Sequence, residues 1–252
     1  MRVGRRELLA FAAGLLAVRR ARAAAAAPDA SAVDDLVAAN RILADQGVVD
    51  AYGHVSVRHG DGYLLSRDLA PALVTADDVL QFDLDSNAAD ARGRTLYRER
   101  FIHGEIYRAR PDVMAIVHDH SPAVVPFSVS REPMRAVFHM AAFVMDGVPV
   151  FDPASVPGPP SVLVATPAAG RALAQALGQH PAALMKAHGA VVVGTSLSMA
   201  VGRAVYLEVS ARVQAQAVAL GSPVATLDPK AARDWAVNDY KRAWELWKRK
   251  VK

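Results

Sequence analysis

The chain contains no cysteine. Disulfides, iron–sulfur clusters and thiolate-held zinc are therefore excluded, and any metal must be carried by His, Asp or Glu. The absence does not decide the compartment, because both reducing and oxidising settings tolerate it. The chain also lacks a hydrophobic run long enough to span a bilayer. Its longest candidate, Leu8 to Val18, falls short of the roughly 20 residues a spanning helix needs. An excess of one charge is missing too. The formal net charge is +4, but residues 1–23 hold six arginines against Glu7, a net of +5, so the rest of the chain carries −1. A body so nearly neutral has no basic footprint for nucleic acid.

What is present begins with an export pattern. "MRVGRRELLAFAAGLLAVRRARA" has a basic start, an apolar stretch and small residues around Ala21-Arg22-Ala23. That is the order expected of a cleaved signal. Arg5-Arg6 stands just before the apolar stretch and resembles a twin-arginine signal. The expectation is export to a bacterial periplasm, with no membrane association of the mature form. Residues 24–31 read as an Ala/Pro tether, and residues 32–252 as one catalytic domain with a C-terminal helical extension.

Apolar residues make up 52% of the 252 residues, enough for a sizeable core. Helical spacing runs from Ala32 to Ala44. "HVSVRHGDGYLLS" alternates, turns at Gly60-Asp61-Gly62 and returns, which predicts a hairpin. "DVLQFDLD" and "VMAIVHDHS" read as strands. Residues 98–109 read as a helix ending before Pro111. Segments 134–139 and 148–151 look strand-like. Residues 167–178 read as a helix stopped at Gly178, and "AALMKAHGAVVVG" as a strand pair or bent strand around Gly189. Residues 197–219 form a long helix, and 229–250 a helical stretch carrying Trp235, Tyr240, Trp244 and Trp247. Strands alternating with helices, with strands joined largely by hairpins, predict one layered α/β domain.

The chemistry starts at "AIVHDHS". Residues i and i+2 of a strand face the same way, so His118 and His120 share a face and can chelate one divalent ion, while Asp119 faces the other. His188 lies in a second apolar strand pattern, where an imidazole has little reason to be buried unless it is satisfied. Three neutral imidazoles with an open position make a catalytic zinc-type site. Glu99 and His103 stand four apart on a predicted helix. Glu99 is a fourth ligand, a general base, or a solvated acid paired with an arginine.

Together, "YRERFIHGEIYRARPDVMAIVHDHS", "LMKAHGAVVVG" and "GHVSVRHGDGYLLS" resemble the class II aldolase/adducin family over about residues 32–220. The resemblance implies a three-layer α/β/α sandwich around a mostly antiparallel sheet. It implies one divalent metal per subunit, commonly zinc, with manganese, cobalt or iron as alternatives, held by His118, His120 and His188. It implies Glu99 as catalytic acid/base, able to sit near or on the metal position. It further implies a small-molecule substrate and a homo-oligomer, often a tetramer, with the site at a subunit junction.

The departures from the family concern the substrate. Sugar-phosphate members grip phosphate with a Gly-Asn, a Thr-Gly and a Ser-Ser pair. Here the matching positions read Gly53-His54, Ser66-Arg67 and Tyr97-Arg98. Arginine suits planar carboxylates, and Tyr97 suits a flat substrate. His54, Ser66, Arg67, Tyr97, Arg98 and, more distantly, His139 are the candidate substrate-binding residues. Structural ion pairs are the alternative for the two arginines, and packing for the two histidines. The pattern points to a metal-dependent decarboxylase of an unphosphorylated, hydroxylated carboxylic acid. The alternatives are an aldolase, epimerase or dehydratase of a sugar or sugar acid, a non-catalytic adducin-like module, and an iron oxygenase.

Overall fold

The computed structural model describes residues 28–221 and 224–252. The export signal expected over residues 1–23, and half of the tether, lie outside them. Asp29 accepts a hydrogen bond from the Ser31 N–H and so starts helix α1, Ala30–Asp45. This cap draws the last two residues of the expected tether into the helix. Strands β1 (His54–His59) and β2 (Gly62–Ser66) form the expected hairpin, and β3 (Val79–Asp83) pairs beside it. A 3₁₀ turn, Arg98–Arg100, leads into α2, Phe101–Ala109. Then follow β4 (Ala115–Asp119), a short α3 (Val125–Val129) and β5 (Val150–Phe151). Helix α4, Pro167–Leu177, is capped by Thr166, whose hydroxyl accepts from the Ala169 N–H, and it ends at Gly178 with φ +51°. Strands β6 (Ala182–Met185) and β7 (Gly189–Gly194) precede α5, Leu197–Ala219, capped by Ser196. Helices α6 (Pro229–Ala236) and α7 (Lys241–Lys250) close the chain.

The seven strands lie in the order β3-β2-β1-β4-β7-β6-β5. Every pair is antiparallel except β5 with β6. Successive side chains on β4 enter different layers. Val117 joins a core with Leu36 and Ile42 of α1 and with Val201 and Leu207 of α5. Ile116 joins another with Ile102 and Ile106 of α2 and with Leu173 of α4. The result is the expected three-layer sandwich, α1, α5 and α7 on one side and α2 and α4 on the other.

Two local expectations are corrected, for segment 134–139 and for His188, and the C-terminal stretch is resolved further. Segment 134–139 contains no strand, and a 3₁₀ turn, His139–Val144, begins at its end. Its irregular backbone is held by side chains instead, as where the Arg135 N–H donates to Gln214 Oε1 of α5. The expected helical C-terminal stretch is divided into two helices. Tyr240 takes φ +55° between them, lays its ring over Gly202 and donates its hydroxyl to the Met140 carbonyl at 2.7 Å. Trp244 and Trp247 are buried in the core against α5, whereas Trp235 is half exposed. Finally, "AALMKAHGAVVVG" is the strand pair, one of the two forms expected, but His188 lies in its turn and not in a strand.

Candidate metal centre

His118 and His54 are directly opposed across the β4–β1 ladder, so their side chains leave the sheet on the same face, towards α2 and α4. His120 stands one residue beyond β4 and continues the alternation. His188 reaches the same place from the β6–β7 turn. Ala187 in that turn has φ +56°, a left-handed backbone that costs about 1 kcal/mol or more for a residue other than glycine. The turn is held by Ser128, whose Oγ accepts from the Ala187 N–H at 3.0 Å. Glu99 comes from the 3₁₀ turn ahead of α2, not from the helix itself, with φ −90° and ψ 15°. Its Oε1 accepts from the Val164 N–H at 2.9 Å, which aims Oε2 at the histidines.

The four side chains converge. His120 Nε2 lies 3.2 Å from His118 Nε2 and 3.0 Å from His188 Nε2. Glu99 Oε2 lies 3.5 Å from His118 Nε2 and 3.4 Å from His188 Nε2. A tetrahedron of nitrogens about 2.0–2.1 Å from zinc has edges of about 3.3 Å, and these four separations bracket that value. The outer ring nitrogens are also engaged. His118 Nδ1 donates to the Ala190 carbonyl at 3.0 Å, and His188 Nδ1 to the Val162 carbonyl at 2.9 Å. With those protons placed outward, both Nε2 lone pairs turn inward beside a carboxylate, and that arrangement calls for a cation. Among the described residues, Glu99, His118, His120 and His188 are the group able to hold a metal.

Glu99 and His118 each favour the charged form of the other. Burial alone would raise the Glu99 carboxyl, but hydrogen bonds and charge from His118 and His188 hold it well below the usual carboxylate range. Burial alone would lower His118, yet Glu99 overcomes this and raises it. Burial, with His118 and His188 beside it, pushes His120 down to about 4, which keeps its lone pair available at neutral pH.

The remaining candidates are distributed around this cluster. The His54 ring lies 4.9 Å from that of His118 and 4.5 Å from that of Tyr97. The Tyr97 hydroxyl is committed elsewhere, donating to the Leu69 carbonyl at 2.6 Å, with Ser66 Oγ 3.4 Å away. Arg67 pairs with Asp78 at 2.7 Å. Arg98 is exposed and has no hydrogen bond or ion pair among the described residues. The His139 ring meets Phe138 and stands edge-on to Trp235 at 4.8 Å, away from the cluster.

Several contributors escape sequence reasoning. The backbones of Val162 and Val164 belong to an irregular loop whose polar groups carry no residue signature. Tyr52, two-thirds exposed, has its ring 6.4 Å from that of His120. His103 is fully buried and joins His54 to Ser56. The sequence does single it out, four residues from Glu99 on the predicted helix; its partners His54 and Ser56 are what the sequence does not show.

The model of the class II aldolase and adducin N-terminal domain matches residues 34–215. The chain belongs to this family. It is 30% identical over 253 residues to decarboxylase tropJ of Talaromyces stipitatus, covering 89% of this chain and 95% of that protein. It is 31% identical over 215 residues to 3,4-dihydroxyphthalate decarboxylase of Arthrobacter keyseri, covering 79% and 83%. Among solved structures, L-fuculose-1-phosphate aldolase from Thermus thermophilus superimposes with a TM-score of 0.66 at 28% identity, covering 78% of this chain and all of that one. Decarboxylation and aldol cleavage are both lyase reactions, and the chain is an enzyme of this lyase type. Class II aldolases use a divalent metal, and this donor set fits one.

Proposed function

We propose that the protein is a metal-dependent decarboxylase of a hydroxylated carboxylic acid, with aromatic acids as the preferred class. The observation that carries this reading is the convergence of three imidazole nitrogens and one carboxylate beside an aromatic floor. That floor, the His54 ring tilted against that of Tyr97, stands where sugar-phosphate members carry phosphate-gripping residues. The similarity to tropJ and to 3,4-dihydroxyphthalate decarboxylase supports the same branch.

In this reading His118, His120 and His188 hold the divalent ion, zinc in the first instance. When bound, it supplies Lewis acidity for the electron pair left as carbon dioxide departs. The protein's own groups do the rest. Arg98, exposed and without a partner among the described residues, meets the carboxylate as the substrate enters, with two parallel hydrogen bonds. Tyr97 and His54 present flat faces that orient a planar ring. Glu99 accepts the proton of the substrate hydroxyl. Glu99 then gives that proton to the ring carbon that bears the carboxylate, the carbon–carbon bond breaks, carbon dioxide leaves, and the electron pair of that bond flows back into the ring and its oxygen, so protons and charge balance. Tyr52 and the exposed Val162 beside the site support an assembly in which a second subunit covers this edge. For residues 1–23 the proposal remains twin-arginine export.

The test is a turnover screen of the zinc-loaded protein. Hydroxybenzoic acids and dihydroxyphthalates should give higher kcat/KM than any sugar phosphate, with release of carbon dioxide. Arg98→Ala should chiefly raise KM. Efficient cleavage of a ketose phosphate with no turnover of any carboxylic acid overturns the choice of branch.

A further inference from the structure

On the metal-centre face of β1, between the strand and α2, lies a buried chain of four polar side chains. The Tyr107 hydroxyl is 2.8 Å from Ser56 Oγ, Ser56 Oγ is 2.6 Å from His103 Nδ1, and His103 Nε2 is 2.7 Å from His54 Nδ1. Tyr107 is 1% exposed, Ser56 and His103 are fully buried, and His54 is 4% exposed. Each link can run in one of two directions, and the far end decides which. Among the described residues, Ser56 is the only hydrogen-bond partner of the Tyr107 hydroxyl. The guanidinium of Arg58, 4.7 Å over the tyrosine ring, offers no acceptor. The Tyr107 proton must therefore go to Ser56, because any other arrangement leaves a buried O–H unpaired. Ser56 then has one proton left, and it goes to His103 Nδ1. His103 consequently carries its proton on Nε2 and donates to His54 Nδ1. His54 is left with its proton on Nε2.

That last nitrogen has no hydrogen-bond partner among the described residues, yet it is not one of the sealed, unpartnered atoms of the interior. It is thus open to a ligand. The His54 ring sits between Tyr97 and His118, on the face of the sheet that holds the metal cluster. We propose that Tyr107, Ser56 and His103 are positioning residues that lock His54 in one tautomer, presenting its Nε2–H as a hydrogen-bond donor to an anionic oxygen of the substrate. The inference rests on the decarboxylase reading for the identity of that oxygen, a carboxylate. It does not rest on it for the tautomer. A donor with no lone pair to offer selects acceptors at this position and disfavours a substrate that would place a hydroxyl proton there.

The tautomer can be read directly. Nitrogen-15 spectra of the zinc-loaded full chain, labelled at its eight histidines, distinguish protonated from bare ring nitrogens. His54→Gln and His103→Gln assign the two signals. Both rings should be protonated at Nε2 alone. Protonation of either at Nδ1 overturns the inference, whatever the turnover screen gives. If the tautomer is as stated and no carboxylic acid is turned over, the substrate reading fails and the locked donor stands. Ser56→Ala should introduce a second, Nδ1-protonated His54 population, and Ser56→Thr, which keeps the hydroxyl, should remove it. An unchanged spectrum in a folded Ser56→Ala protein removes the chain from its role. On the best carboxylic acid, His54→Gln keeps an N–H near the same place and should hold kcat/KM within about tenfold. His54→Leu should lose roughly 10- to 100-fold more, the size of one hydrogen bond to a charged group. Equal losses in the two variants at full zinc content speak against a donor at this position.

Discussion

His118 and Asp119 are adjacent on β4, are equally sealed from solvent and face opposite layers. Around His118 the polar atoms of several elements aim at one point, and the atoms behind them are hydrogen-bonded outward to carbonyls or to the Tyr107–Ser56–His103 chain. Around Asp119 the polar atoms are scattered. Asp119 Oδ2 and Ser121 Oγ are buried without a hydrogen-bond partner among the described residues, as are, on the helices of that side, Asn40 Oδ1 of α1 and Ser210 Oγ of α5. Glu208 turns instead to the Ala123 N–H and to Arg212. Buried polarity is therefore common to both faces and does not mark the site. Convergence marks it, since several donors from distant parts of the chain agree on one centre on a single face.

The sharpest way to break this contrast is to remove ligands from one face only. His118→Ala/His120→Ala should lose both metal and turnover, while Asp119→Asn, one residue away, keeps a full equivalent of metal. Metal content by atomic emission checks both, and full occupancy in the double variant would refute the metal centre. Next in size is Glu99→Gln. It keeps shape and the Val164 contact but cannot carry a proton. Metal should stay bound, and turnover should fall by roughly 10² or more, the scale of a general acid/base. Near-normal turnover excludes Glu99 from proton transfer.

Much of the centre was legible because strand alternation is a short-range rule. His118 and His120 share a face whatever happens elsewhere, and α5 runs over the expected 197–219 because a capping Ser196 opens an uninterrupted helical segment. What was not legible depends on backbone paths that side-chain patterns do not encode. His188 looked like part of a strand because its neighbours are apolar, but the β6–β7 connection needs a tight turn, and Ala187 absorbs it with a left-handed backbone. Glu99 looked helical by spacing, yet the chain is still in a 3₁₀ turn there, and that offset lets it reach His188. The loop carbonyl that fixes His188 and the N–H that fixes Glu99 come from Val162 and Val164, whose side chains say nothing about the role.

A smaller effect should follow from forcing β4 and β7 apart. A Cβ on Gly189 would stand 1.9 Å from the Asp119 carbonyl oxygen, a backbone atom that cannot move alone. Gly189→Ala must shift β7 away from β4 just where His118, His120 and His188 meet. Overpacking of this kind costs about 1–3 kcal/mol. The variant should unfold at lower urea and bind zinc more weakly in a chelator competition. Unchanged zinc affinity would mean that the turn carrying His188 moves independently of the ladder.

The smallest effect is expected on the other face, where it can be separated by its pH dependence. Burial pushes Asp119 up to about 6 from an ordinary 3.8, against the hydrogen bond from the Ser121 N–H. Between those two values the folded chain keeps a proton that the unfolded chain has released. Raising the pH through that window therefore lowers stability, and above about pH 6 the loss is complete. Asp119→Asn keeps the oxygen that accepts from Ser121 and does not titrate. Asp119 and His118 feel each other's charge, so the difference between the two urea-unfolding free energies reads this carboxyl together with its coupling to His118. That difference should be near zero below about pH 4, grow in favour of the variant up to about pH 6 and level off there, on the order of 1–3 kcal/mol. A difference that is flat, or that grows in favour of the wild type, would mean that the Asp119 carboxylate has found a partner. The second face would then be as well satisfied as the first.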